Sequence, residues 1–150
     1  MIYDQLMAEL QAHDVFMVNE NQLTSRQKDF VCDYFREKVS PAIVTLLLSK
    51  KRDFPELKDK SIYLAIKLES QSRAEDSIYA LVEIPSELLG RFVILPRYGK
   101  QFIMYLDDLI RYNLDFIFFI FSYKQVKANT IKITRDAEID IDDASYRHFA

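Results

Sequence analysis

The hydrophobic period of this chain changes at Pro41, and that change restricts the fold more than any other feature. Ahead of it, Ile2, Tyr3, Leu6, Met7 and Leu10 recur at three- and four-residue spacing, which marks one face of a helix ending near His13 and Asp14. Val15 to Val18 is apolar but too short to assign, and Asn19 to Gln22 is rich in turn formers. Thr24 and Gln27 have the spacing of a capping box, with Leu23 just before them. The helix they open puts Phe30, Val31, Tyr34, Phe35 and Val39 on one side and Arg26, Asp29, Asp33 and Arg36 on the other. Pro41 disfavours helical geometry in the residue before it, so this helix is expected to stop near Ser40.

Beyond Pro41 strand patterns take over. Ile43 to Leu48 is an apolar run of strand length, and Lys50 to Lys60 is a charged loop. Ser61 to Leu68 alternates, with Ile62, Leu64, Ile66 and Leu68 on one face. Polar Glu69 to Ser77 reads as a hairpin connection to a returning strand at Ile78 to Ile84. Pro85 to Gly90 has proline at a first-turn position and glycine past the end, a single helical turn. Further strands are expected at Arg91 to Leu95 and Gln101 to Tyr105, around a turn at Tyr98 to Lys100. Asp107 is placed to cap a helix with apolar face Leu109, Ile110, Leu114, Ile117 and Phe118, and a last strand is expected at Thr130 to Thr134. Sequential strands with short connections favour a mostly antiparallel sheet packed against helices, hence an α+β fold preceded by an N-terminal helical segment. The change at Pro41 is the one candidate subdivision.

At 150 residues, 49% apolar and 29% charged, the chain can bury a core without staples and has the composition of a soluble globular domain. Its longest apolar stretch, Phe116 to Phe121, is six residues, where a bilayer span needs about 20. No targeting sequence is visible at the start. That stretch carries aromatic groups on every side of a helix end, and one face buries only about half of them, so self-association is expected. One cysteine, Cys32, excludes an internal disulfide and fits a reducing cytoplasm. With only two histidines beside it, a Cys/His zinc quartet is excluded. The net charge is −3, with acids alone in residues 1–23 and 136–143, leaving 19 bases against 14 acids, a balance of +5, in residues 24–135. A mildly basic middle could serve a phosphate-bearing ligand or be a mixed, solvated surface. No basic cluster with interleaved aromatics suggests nucleic acid.

Chemistry-bearing residues are few. His13 sits at a helix C-terminus, where the dipole favours an imidazolium, and His148 is the third residue from the end. Neither has an adjacent nucleophile, and Cys32 has no neighbouring histidine. Asp136, Glu138, Asp140 and Asp142 alternate. In a strand they would share a face able to chelate a cation, though the calcium-loop glycine and terminal glutamate are missing, and a solvated face explains them as well. Gly90 and Gly99 are the only glycines, so phosphate-cradling glycine loops are excluded. Arg91, Arg97, Lys100 and Arg135 stand near strand ends and could contact phosphate oxygens or pair with carboxylates. Arg135 would lie on the apolar face of an extended acidic segment, paired to Glu83 or Asp107, or else turned toward phosphate.

Ile84 to Pro96 and Thr134 to Ile141 resemble the bacterial polyphosphate kinase of the large, histidine-phosphorylating type. Asn19 to Leu23, Tyr34-Phe35, Val39 with Pro41, and Asp107 to Leu114 fit the same family in the same order, over about residues 9–142. The resemblance implies that residues 1–13 are the tail of an N-terminal helical domain and 15–150 the first part of the middle, or head, domain. Neither His13 nor His148 matches the family's phosphorylated histidine, so no catalytic, cofactor or metal residue is assigned. The implied role is a scaffold and dimer interface within a parent enzyme that moves the γ-phosphate of ATP reversibly onto polyphosphate. That parent would use ATP and Mg2+, in the cytoplasm or associated with a membrane through its complex. Its other kinase domains are the implied partners, and no activity is expected of this chain alone. The alternative is a standalone anion-binding or interaction module of the same fold.

Overall fold

The structure, a computed structural model, describes residues 2–97 and 99–134, and the backbone of 139–141. In chain order the elements are α1 (Ile2–Ala12), β1 (Val15–Met17), α2 (Ser25–Tyr34) continued by a π turn (Phe35–Val39) and a 3-10 turn (Ser40–Ala42), then β2 (Val44–Leu48) and β3 (Ile62–Glu69). A 3-10 turn (Ala74–Asp76), β4 (Ile78–Glu83), α3 (Ser86–Leu89), β5 (Phe92–Ile94) and β6 (Gln101–Tyr105) follow. The described chain closes with α4 (Leu106–Tyr112), α5 (Leu114–Ile117), β7 (Gln125–Ile133) and β8 (Ile139–Ile141). It forms an α+β fold in two compact units that exchange the chain at Pro41, Pro85 and Asn113. The first of these breaks coincides with the change of period; the other two carry no comparable signal.

The first unit holds the chain up to Pro41 and Ser86–Asn113. Its sheet has the order β1-β6-β5. β5 and β6 form the antiparallel pair read from sequence, whereas β1 lies parallel to β6, with Phe16 opposite Phe102. Three residues are too few to show a period, so β1 exists through its partner: Gln101 N–H donates to Asp14 O and Val18 N–H to Ile103 O, each at 2.9 Å. The capping box of α2 is complete, Gln27 N–H donating to Thr24 Oγ1 at 3.2 Å and Thr24 N–H to Gln27 Oε1 at 3.0 Å. Gln27, Val31, Phe35 and Val39 are buried at strict four-residue spacing. That spacing overshoots a 3.6-residue turn by about 40° at each step. The π turn, closed by Ser40 N–H on Phe35 O, holds more residues per turn and offsets the drift. Ser40 keeps helical angles despite preceding Pro41, so the helical path runs into the 3-10 turn rather than stopping at the proline. α4 packs on β5, β6 and the π turn, burying Leu106, Leu109 and Ile110 with Val93, Leu95 and Met104. α1 buries no residue, and Ile2, Tyr3 and Leu6 of its apolar face are exposed.

The second unit holds Ala42–Pro85 and the chain from Leu114 onward. Its antiparallel sheet has the order β2-β4-β3-β7-β8. Central β3 is buried on both faces. Tyr63 and Ala65 meet Leu81, Ile131 and Ile133 under Leu46, Leu48 and Leu57. Leu64, Ile66 and Leu68 on the other face are equally buried beside Ala80 and Val82. Each such leucine or isoleucine contributes about 1.5–3 kcal/mol on burial. β7 begins at Gln125, before the expected Thr130, because β3 templates it: Val126 pairs Leu68 and Ala128 pairs Ile66. Lys127 interrupts its apolar pattern and is matched instead by Glu69 at 3.0 Å.

The helix expected from Asp107 to Phe118 is two helices. Asn113 leaves helical geometry (φ −106°, ψ 17°) and its buried side chain donates to Leu109 O at 2.9 Å, a side-chain bond that competes with helix continuation. Leu114 and Phe118 are buried as read; Phe116, Phe119 and Ile120 are exposed. Of the acidic segment, Ile139–Ile141 pairs with β7, while Arg135, Asp136, Glu138 and Asp142, like Tyr98 and His148, lie outside the described residues.

Candidate functional site: an arginine–carboxylate network beside β5

Gly90 sets the geometry. It takes φ +82° and donates its N–H to Ser86 O at 2.8 Å, the left-handed residue that ends a helix, and it turns the chain so that Arg91 leads into β5. Arg91 O accepts from Leu106 N–H at 2.8 Å, satisfying a backbone donor in the first turn of α4. This supports the helix start, and Asp107 is not its cap: the N-cap is Tyr105, with no side-chain cap bond. Asp107 stands one residue inside α4, buried. Its Oδ1 accepts from Arg91 Nε at 3.3 Å and its Oδ2 lies 3.6 Å from Arg111 Nη1. Arg111 Nη1 also donates to Asp108 Oδ1 at 2.6 Å, and the Arg91 guanidinium lies 5.2 Å from the centre of the Tyr105 ring.

Two arginines and two aspartates thus neutralise one another at the junction of β5 and α4. Burial pushes the Asp108 carboxyl up to about 6, helped by the negative charges of Glu20 and Asp107 and opposed by Arg111. Burial likewise raises the Tyr105 phenol. The arrangement fixes the start of α4 to the start of β5. Among the described residues its members are carboxylates, guanidinium groups and the Tyr105 phenol. Sequence reading named Arg91 and Asp107 but missed Asp108, Arg111 and Tyr105. The signal was available, since Asp107–Arg111 and Asp108–Arg111 are i,i+4 and i,i+3 pairs.

The other named residues lie apart. Arg97 is exposed beyond β5, at the opposite end of that strand from Arg91. In the same β5–β6 connection, Lys100 Nζ lies 4.7 Å from the centre of the Phe16 ring. Arg135 lies outside the described residues; of the carboxylates named for it, Glu83 pairs with Lys58 at 3.3 Å and Asp107 with Arg91 and Arg111. His13 is exposed just past α1, and Cys32 is half-buried on α2. Among the described residues no three His, Cys, Asp or Glu side chains are grouped to hold a metal ion, and no helix is long and apolar enough to cross a membrane.

Fold and network together describe an α+β domain in which paired arginines and aspartates tie β5 to α4. The family model for the polyphosphate kinase middle domain matches residues 26–150. The chain is 39% identical over 145 residues to the polyphosphate kinase of Vibrio parahaemolyticus, covering 93% of this chain and 20% of that protein. It is 37% identical over 146 residues to the polyphosphate kinase of Escherichia coli K12, covering 93% and 21%. The crystal structure of polyphosphate kinase from Porphyromonas gingivalis superposes with a TM-score of 0.81 at 26% identity, over 94% of this chain and 24% of that one. The chain spans about a fifth of the length of the curated relatives it matches. It belongs to the polyphosphate kinase family, as the middle domain.

Proposed function

We propose that this chain is the non-catalytic scaffold and subunit-interface domain of a polyphosphate kinase. In the longer enzyme, other domains would transfer the γ-phosphate of ATP, with Mg2+, reversibly to polyphosphate through a phosphohistidine. The observation that carries the reading is the middle-domain match over residues 26–150, in a chain whose one described histidine, His13, is exposed and has no serine or cysteine next to it in the sequence. Exposed apolar side chains support the interface role: Phe92 and Ile94 on edge strand β5 in one unit, Phe116, Phe119 and Ile120 after α5 in the other. α1, with no buried residue, suits a helix whose apolar face belongs against further helices. Incubation of the purified chain with γ-labelled ATP, Mg2+ and polyphosphate tests the reading. The expected result is no labelled protein and no lengthened polymer; label on His13 or His148 would overturn it.

A further inference from the structure

A second polar site lies in the other unit, between the β3–β4 connection and the segment entering β7. Two bonds tie these segments together: Lys124 N–H donates to Glu69 O at 2.9 Å and Gln71 Nε2 to Tyr123 O at 3.3 Å. Between them is a cavity of about 180 Å3 lined by Lys67, Arg73 and Lys124, the three serines Ser70, Ser72 and Ser77, and Glu69. That is below the ~300–1,000 Å3 of sites for drug-sized ligands and suits a small ion.

The sign of that ion follows from what is already paired. Glu69, the only carboxylate of the lining, is taken by Lys127 at 3.0 Å. Its carboxyl is held below the usual range first by that bond and then by the charges of Lys127, Lys67 and Lys124. Among the described residues neither Lys67 nor Lys124 has a carboxylate in ion-pair range; Lys67 Nζ lies 5.9 Å from the centre of the Tyr79 ring. Arg73 reaches Glu75 only at 3.8 Å, with both side chains about 70% exposed, a pair of little strength. The serines add donors. Ser70 Oγ accepts from the Ser72 and Arg73 N–H groups, and Ser77 Oγ accepts from Ser70 N–H. One hydrogen bond joins the Ser70 and Ser72 hydroxyls. One hydroxyl hydrogen of that pair, and that of Ser77, therefore have no acceptor among the described residues. Three cationic residues and two hydroxyl donors therefore line a cavity whose one carboxylate is already paired.

We propose that this cavity binds a phosphate-class oxyanion, specifically the end of a short polyphosphate chain. The oxyanion chemistry rests on the cavity alone; the choice of polymer rests on the proposed function. Calorimetric titration of the 150-residue chain with tripolyphosphate, and separately with inorganic phosphate, tests it. The double variant Arg73→Ala/Lys124→Ala removes two exposed cations without touching the core. It should weaken tripolyphosphate binding by about tenfold or more with an unchanged thermal midpoint. Lys50→Ala/Lys51→Ala, the same charge loss in the β2–β3 loop, should change it less than about twofold, since removal of surface charge alone is screened. Equal losses in the two variants, or no binding by the unaltered chain, would overturn the site. Equal affinity for phosphate and tripolyphosphate would overturn the polymer assignment. Kinase activity is not the readout, so a negative titration leaves the scaffold reading standing, and the reverse holds too.

Discussion

At the scale of single residues, Asp107 is the buried charge that joins Arg91 to Arg111 in the first unit. Its side chain is 6% exposed, with arginines on two sides that are 34% and 21% exposed. Asp107→Ala would take from Arg91 its carboxylate at 3.3 Å and leave Arg111 the Asp108 carboxylate at 2.6 Å. The expected loss is about 2–3 kcal/mol by urea denaturation, below the ~3–5 of a fully buried pair because the arginines keep access to water; an unchanged midpoint would remove the network from the account of the fold. Asp108 behaves differently. Its pKa is raised from 3.8 to about 6 in the folded state, so the folded state holds the proton more tightly than the unfolded chain. Stability from this group is therefore fully present below the ordinary carboxylate range and falls as pH rises through about 6. The term is about 1–2 kcal/mol once screening by solvent is counted. Asp108→Asn should remove it. The stability of the unaltered protein minus that of the variant should be larger at about pH 4 than at about pH 7, and a difference independent of pH would refute the assignment. The sequence offered the i,i+3 and i,i+4 spacings but not the burial, because Arg91 reaches Asp107 from a separate strand.

At the scale of elements, Gly90 and Thr24 show how much a terminus can do. A Cβ on Gly90 would meet nothing within 4 Å, yet its φ of +82° is one that side chains rarely adopt. Gly90→Ala should therefore cost about 1–2 kcal/mol from the backbone alone, readable as a shifted denaturation midpoint with no change in the denaturant slope. Full wild-type stability would mean that the turn relaxes and that its left-handed form is not needed to aim Arg91. Element boundaries were legible where local chemistry sets them: the capping box at Thr24, the Pro85-to-Gly90 turn, and β6 at its observed limits of Gln101 and Tyr105. They were not legible where a partner sets them. β1 needs the edge of β6, the early part of β7 needs β3, and the break at Asn113 needs a buried side-chain bond to Leu109.

At the scale of the whole molecule, apolar surface remains after both cores are filled. Phe119 and Ile120 are 77% and 72% exposed, Ile94 is 68% exposed on an edge strand, and Ile2 is 84% exposed on α1. Self-association is the expected consequence. Sedimentation velocity over a concentration series should show it, and Phe119→Ser/Ile120→Ser should reduce it; a clean monomer at high concentration in the unaltered chain would contradict the expectation. By itself the sequence determined the helix and strand periods, the α+β class, the capped start of α2 and, through the ordered motifs from Asn19 to Ile141, the family. These are local or cumulative signals, written in spacing along one chain. Only the tertiary structure decided that the chain makes two sheets in two units, that β1 runs parallel to β6, that Arg91 is held by Asp107 at 3.3 Å, and that Lys67, Arg73 and Lys124 line one cavity. Each of those facts joins residues far apart in sequence. Such contacts form because burying one surface requires a particular other surface, which no spacing along the chain records.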